Sequence, residues 1–372
     1  MSEPALIIKT YECRDESIIG HIILNNPKAL NALSIDMVDP MMSQLKQWKN
    51  NKKLVAVIIS GAGDKALCAG GDLRDVHHAM TCGDASQRVL AERYFAREYR
   101  LDHMLHNYPK PVIVWGSGIV MGGGMGLFMA GDIRIATETT RMAMPEITIA
   151  LFPDVGASYF LNQLPEHIGY FLALTGAIFN SEDALELGLA NTVALNKDLP
   201  DIIEHLQEQT WSDDKEDNVS VVFDIVDTYS ADAKEKLPPA LLAPHQEIIS
   251  ELFAEADTLA LIESFLQLQT KDEWLKQAQA NLAAGSPLHA FIIHKQLKET
   301  LGMSLADVFR SEVRLATNIV RFSEFAEGIR ALLIDKDRQP NWHFKTLKEV
   351  DSEFVDSFFK EPWGQNPLQD LN

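Results

Sequence analysis

Apolar and polar positions fall into short blocks over the first 200 residues, and the period changes from block to block. ALII (5–8) and SIIGHIIL (17–24) are compact, Ile-rich runs split by a polar stretch, the pattern of a strand hairpin. SIDMVDPMMSQLKQWKN follows. It opens on Ser34, a capping residue, and sets Met37, Met41, Leu45 and Trp48 at helical spacing on one face. LVAVIIS (54–60) is apolar almost throughout, which predicts a buried strand, and it runs into the glycine-bearing segment GAGDKALCAGGD. A helical pattern spans roughly 84–106, PVIVWGSGIV repeats the strand-into-glycine arrangement, and IRIAT (133–137) reads as one more strand. Strands alternating with helices predict an α/β domain.

The texture changes after that. Strand-like runs become rare, while helical periodicity persists in ESFLQLQTKDEWLKQAQANLAAG and MSLADVFRSEVRLATNIVRF. The change falls in the acidic stretch WSDDKEDN (211–218), which reads as a solvated loop. We therefore expect a mixed domain over 1–210 and a mostly helical region over 211–372.

Bulk composition narrows the function classes. Of 372 residues, 46% are hydrophobic and 23% charged, which is globular composition. A formal net charge of −20 argues against nucleic acid or an anionic membrane surface, since nothing offsets repulsion from phosphate. It leaves room for a small anionic ligand held by local N–H groups or a few cations. Cys13, Cys68 and Cys82 are too few and too scattered for a disulfide framework or a metal site, so a reducing compartment is expected. The start, MSEPALIIKT, has neither a cationic segment before an apolar run nor an Arg-rich character, and the expected location is cytoplasmic. No apolar run has the length of a membrane helix.

Two glycine loops carry the first chemical signal. Gly61, Gly63, Gly70 and Gly71 follow one buried strand; Gly116, Gly118, Gly122, Gly123, Gly124 and Gly126 follow the next. Glycine lets backbone approach a ligand closely and turn its N–H groups onto an anion, and two such loops after two strands favour a built site over mere tight turning. The second loop lacks dinucleotide spacing, and no GK[ST], GxSxG or HExxH pattern occurs. The histidines are dispersed, and His77 and His289 read as structural. Cys68 reads as a small packing residue, and the cations of FAREYR (95–100) and of Lys336–Arg338 as surface charges.

MPEITIALFPDVG (144–156) carries the second signal, two acids placed in core material. A buried, unpaired carboxylate is costly or holds its proton to high pH. Backbone N–H groups beside carboxylates suit a carbonyl whose oxygen gains charge, with an acid as base or nucleophile. A turn-forming role for either acid is the competing reading.

Taken together, GAGDKALCAGGDLR, WGSGIVMGGGMGL and MPEITIALFPDVG resemble the crotonase (enoyl-CoA hydratase/isomerase) superfamily, and more narrowly its 3-hydroxyisobutyryl-CoA hydrolase branch. NNPKALNAL (25–33) and FAEGIRALLIDKDRQPNW (325–342) extend the resemblance over most of the chain. It implies a crotonase-like spiral of strand-strand-helix turns followed by a helical region. It also implies an oxyanion hole from the N–H groups of Gly71 and Gly123, and a substrate site from Glu98, Gly123, Glu146 and Asp154, with Glu146 and Asp154 catalytic. Lys28, Ala29, Leu30, Gly70, Asp72 and Leu73 would lie along coenzyme A, which is part of the substrate; no cofactor and no metal is expected. The partner implied is an acyl-CoA, in valine catabolism, with a homo-oligomer left open. Hydratases of the family carry a glutamate where this chain has Gly126, so thioester hydrolysis is favoured over hydration, and over a non-catalytic acyl-CoA-binding protein. One local departure is Ser286-Pro287-Leu288-His289, where the branch carries a more hydroxyl-rich Ser-Pro-Thr-Ser.

Overall fold

The computed structural model describes residues 4–165 and 167–372; Met1–Glu3, on which the reading of the amino terminus partly rests, lie outside the described residues. The chain divides into two interleaved units. One comprises Met1–Gly71, Leu101–Met142 and Ile178–Leu242, the other Asp72–Arg100, Ala143–Ala177 and Ala243–Asn372.

Strands dominate the first unit: β1 (Leu6–Glu12), β2 (Ile18–Leu24), β3 (Leu54–Gly61), β4 (Ala66–Cys68), β5 (Val112–Gly116), β6 (Ile119–Met121), β7 (Ile133–Ala136), β8 (Arg141–Ala143), β9 (Phe179–Asn180) and β10 (Thr192–Val193). They form a six-stranded sheet, β1-β2-β3-β5-β7-β10, and a four-stranded one, β4-β6-β8-β9. β1 and β2 make the expected antiparallel hairpin, and from β2 onward the larger sheet is parallel. Successive strand pairs β3/β4, β5/β6 and β7/β8 place one strand in each sheet, which is the repeat of a strand-strand-helix spiral.

Apolar patterning accounts for this packing. β3 and β5 are buried along nearly their whole length, as their unbroken aliphatic runs require of strands covered on both faces. In helix Ile35–Lys49 the buried residues include Met37, Met41, Leu45 and Trp48, the anticipated face. Its Trp48 ring lies so close to β2 that a Cβ on Gly20 would sit 2.6 Å from it. The acidic stretch 211–218 is only partly loop: Asp214 accepts from the amides of Glu216 and Asp217 and starts helix Lys215–Lys234. That helix buries Val222, Ile225 and Val226 in one cluster with Ile19, Ile58 and Trp115.

The second unit is mainly helical. Arg74–Thr81 and Ala85–His106 lead in, the latter reaching the unit boundary at Arg100. The long pattern at 263–285 resolves into two helices, Thr258–Gln267 and Glu273–Ala284, because Asp272 caps the second through the Leu275 amide. Ser286 and Ser304 cap Pro287–Thr300 and Leu305–Val320 in the same way. Phe95, Tyr99, Phe309 and Phe325 pack ring against ring in this unit, with Phe95 within 6.1 Å of Phe325 and Tyr99 within 5.9 Å of Phe309. Among the described residues no helix is long and apolar enough to cross a membrane.

Candidate active site

In the first unit, the two glycine loops meet. β4 leads into Gly70 at φ +109°, and β6 leads into Gly122 at φ +50°, from which the short helix Gly123–Met129 starts. Both angles lie in the left-handed region that favours glycine. A Cβ built on Gly70 would stand 3.6 Å from the Met121 carbonyl oxygen and 4.0 Å from the Gly123 nitrogen, so the loops face one another across that space. A Cβ on Gly124 would lie 2.2 Å from the Cys68 carbonyl, so at this crossing only glycine lets the helix start come so near β4. Gly123 occupies the first turn of its helix, where an amide has no carbonyl partner within the helix itself.

The predicted coenzyme A segment is tied to the same loop. A short turn, Pro27–Ala29, ends on Leu30 and Asn31, both with positive φ. The Ala69 amide donates to the Leu30 carbonyl at 3.0 Å, and the Leu33 amide to the Gly70 carbonyl at 2.8 Å. Asn31 is the stitch. Its side-chain amide donates to the Ala62 and Ala66 carbonyls at 3.0 and 2.8 Å, while its oxygen accepts from the Asn26 amide. Lys28 stands exposed on the turn.

In the second unit, the acids form one buried patch. Glu98, Glu146, Asp154 and Glu312 are all buried, and Tyr99 donates its O–H to Asp154 Oδ2 at 2.7 Å. Glu146 opens a one-turn helix, Glu146–Ile149, directly after Pro145, which pins its backbone. Asp154 precedes Val155 and Gly156, whose φ values of +56° and +82° turn the chain sharply. Among the described residues, Glu98 Oε1 and Glu146 Oε2 have no hydrogen-bond partner. Two buried carboxyl oxygens left unsatisfied are costly unless another molecule supplies the partner.

Burial sets the protonation of this patch, and mutual repulsion adds to it. Burial, then the charge of Asp154, pushes both Glu98 and Glu146 well above the usual carboxylate range. Asp154 is raised by burial to about 7, with the Tyr99 O–H opposing the rise. Glu312 is raised by burial to about 8, against the stabilising amide of Gly156. Four buried acids that repel one another titrate as a group.

The structure thus brings Glu98, Glu146 and Asp154 together in the second unit, and Gly70 with Gly123 in the first. Asp72 and Leu73 lie at the entry to helix Arg74–Thr81, where Asp72 Oδ1 accepts from the Arg74 amide at 3.4 Å. Sequence reasoning missed Glu312, Tyr99 and Asn31. Glu312 lies mid-helix in a segment whose amphipathic pattern alone gives no reason to expect a buried acid. Tyr99 was readable in principle, as the neighbour of Glu98.

His289, expected to be structural, lies in a buried network. Its Nδ1 lies 3.0 Å from Ser286 Oγ and 3.2 Å from Glu324 Oε2, Ser286 donates to the same Glu324 oxygen at 2.9 Å, and all three are buried. Glu324 also accepts from the His343 amide. Ser286→Ala removes a helix cap and a partner of a buried carboxylate, so a loss of roughly 1–3 kcal/mol in urea unfolding is expected. An unchanged midpoint would mean that the network contributes nothing.

Among the described residues, no group of three or more His, Cys, Asp and Glu side chains is arranged to hold a metal ion. Comparisons with known proteins agree with the fold. The enoyl-CoA hydratase/isomerase family model matches residues 19–359. The chain is 40% identical to the mitochondrial 3-hydroxyisobutyryl-CoA hydrolase of Gallus gallus, over 94% of this chain and 88% of that protein. It is 39% identical to the protein of the same name from Xenopus tropicalis, over 91% and 86%. Among solved structures, a carnitinyl-CoA dehydratase from Mycobacterium thermoresistibile superposes with a TM-score of 0.84 at 30% identity, covering 99% of this chain and 100% of that one. The expectation of a cytoplasmic location is corrected by these relatives, which carry "mitochondrial" in their names. Scarce cysteines speak for a reducing compartment and do not choose between one such compartment and another.

Proposed function

This chain belongs to the enoyl-CoA hydratase/isomerase family, and we propose that it hydrolyses 3-hydroxyisobutyryl-CoA to coenzyme A and 3-hydroxyisobutyrate, a step of valine breakdown. The names of the relatives that match nearly its whole length support the substrate. The observation that carries the chemistry is the buried patch of acids around Glu146 and Asp154, with unpartnered oxygens on Glu146 and Glu98. Gly126 in place of the hydratase glutamate counts against addition of water across a C=C bond.

In this reading the amides of Gly71 and Gly123 hold the thioester oxygen as it gains charge, a contribution of roughly 3–4 kcal/mol per donor. Glu146 either takes a proton from the attacking water or attacks the acyl carbon itself to give a mixed anhydride that water then hydrolyses; in either route the C–S bond breaks, and the thiolate of coenzyme A departs and is protonated. Asp154 and Glu98 hold the 3-hydroxyl group, and Asp154 supplies the proton to the thiolate. Lys28, Ala29, Leu30, Gly70, Asp72 and Leu73 line coenzyme A.

Two results test the assignment. Isobutyryl-CoA, which lacks the hydroxyl, is expected to fall short of 3-hydroxyisobutyryl-CoA by roughly 10²-fold or more in kcat/KM, because buried acids then go unpaired; equal values would remove the hydroxyl from the recognition. The second is a pH profile. Glu146 acts as a carboxylate and its ionisation is held up by burial and by the charge of Asp154, so kcat/KM is expected to rise with pH along an acid limb displaced upward from the usual carboxylate range. Asp154→Asn removes that charge. The acid limb is expected to move to lower pH while kcat falls about 10²-fold; a limb that stays in place would separate the two acids.

A further inference from the structure

We propose that Glu312 is a positioning residue for Asp154, acting through the backbone of the turn that carries it. The inference rests on the thioesterase reading above, since Asp154 draws its role from it.

Glu312 lies in the middle of helix Leu305–Val320 and is completely buried. Its two oxygens divide between two amides: Oε2 accepts from Gly156 at 2.7 Å and Oε1 from Ser158 at 3.2 Å. Those amides follow Asp154 by two and four residues. The turn between holds Val155 and Gly156 in the left-handed region, and a β-branched residue at φ +56° persists only where its surroundings over-determine it. The two charge-capable hydrogen bonds are that constraint. They clamp the chain just beyond Asp154, while the Tyr99 O–H holds its carboxylate from the other side.

A purely structural acid is a poor explanation of the arrangement. Glu312 lies near Asp154 and suffers its repulsion, which an apolar residue or a glutamine would avoid. Around it, Ser311 donates to Gln296 Oε1 and Gln296 donates to Ser158 Oγ, so the amide of Ser158 is approached by Glu312 and its hydroxyl by Gln296. The same four-residue stretch is thus held at backbone and side chain by two helices, Leu305–Val320 and Pro287–Thr300. In sequence, the carboxylates are 158 positions apart by number, 154 against 312, and neither belongs to a motif that points to the other.

The test is a double-mutant cycle in the full-length protein on Glu312→Gln and Asp154→Asn, read by free-thiol release from 3-hydroxyisobutyryl-CoA. Glutamine puts an NH2 donor in place of one of the two accepting oxygens, where it faces an amide N–H and cannot accept from it. Glu312→Gln alone is expected to lower kcat by roughly 10–100-fold with KM within about twofold of wild type. In the Asp154→Asn background the same change is expected to cost no more than about twofold, because the residue it acts through is already gone. Equal losses in both backgrounds, or a Glu312→Gln enzyme at wild-type kcat, would overturn the proposal. If Glu312→Gln cannot be obtained folded, Glu312→Asp serves, with the charge kept and the reach shortened: the same non-additive loss is expected, and additivity overturns it. A wild-type enzyme with no thiol release would instead count against the thioesterase reading, which separates the two failures.

Discussion

Glu146→Gln is expected to abolish most thiol release, lowering kcat by roughly 10²–10⁴-fold, the range in which a general base or nucleophile acts. The change is close to isosteric and removes only the ability to ionise. Its Oε2 has no partner among the described residues, so no internal hydrogen bond at that atom is sacrificed. Burial already disfavours the charged form. Replacing an acid there with a neutral amide should therefore leave thermal stability the same or slightly higher. Loss of activity without loss of stability is the signature of a site residue held at a cost to the fold. A variant that loses stability and activity in proportion would return Glu146 to the competing reading, a turn residue in core material. KM for the thioester is expected to stay within a few-fold, since the pantetheine and nucleotide parts of the substrate are assigned to other residues.

Gly124→Ala is expected to have the next largest effect, a fall of at least roughly 10²-fold in kcat, the size of one lost oxyanion donor. The reason is steric. The new Cβ would stand 2.2 Å from the Cys68 carbonyl oxygen and 2.9 Å from its carbon, backbone atoms that cannot swing aside as a side chain could. Relief requires the start of helix Gly123–Met129 to move away from β4, and Gly123 moves with it. Overpacking of this kind also costs typically 1–3 kcal/mol, so the melting temperature should drop. Gly364→Ala is the control, because a Cβ there meets nothing within 4 Å. Wild-type kcat in Gly124→Ala would show that the approach of the two loops has no bearing on turnover.

Much of this was legible in the chain because local chemistry forces it. The hairpin, the helix bearing Met37 and Trp48, and the strands ahead of each glycine loop follow from period and β-branched content. The glycines at 70, 122 and 124 announced close backbone approach: Gly70 and Gly122 have positive φ, and the Cys68 carbonyl leaves no room for a Cβ at Gly124. What local pattern could not give is the pairing of distant segments. The apolar sequence marks one change of texture near residue 211, whereas each compact unit is assembled from three separate stretches. Glu312 is the sharpest case. Its meaning lies in two amides more than 150 positions away, and nothing in helix Leu305–Val320 encodes that. Asn31 is similar: a polar residue in a turn reads as surface, yet it is fully buried, its side chain bonded to three peptide groups, those of Asn26, Ala62 and Ala66. The compartment was misjudged for a different reason: the cytoplasmic expectation rested on what the stretch MSEPALIIKT lacks, and cysteine usage reports redox state rather than address.

One assay addresses the central claim directly: purified wild-type protein supplied with 3-hydroxyisobutyryl-CoA, with free thiol measured against time, and with crotonyl-CoA hydration followed in parallel. Multiple turnovers of thiol release with no hydration are predicted. Hydration of crotonyl-CoA without thiol release from the hydroxyacyl thioester would contradict the account.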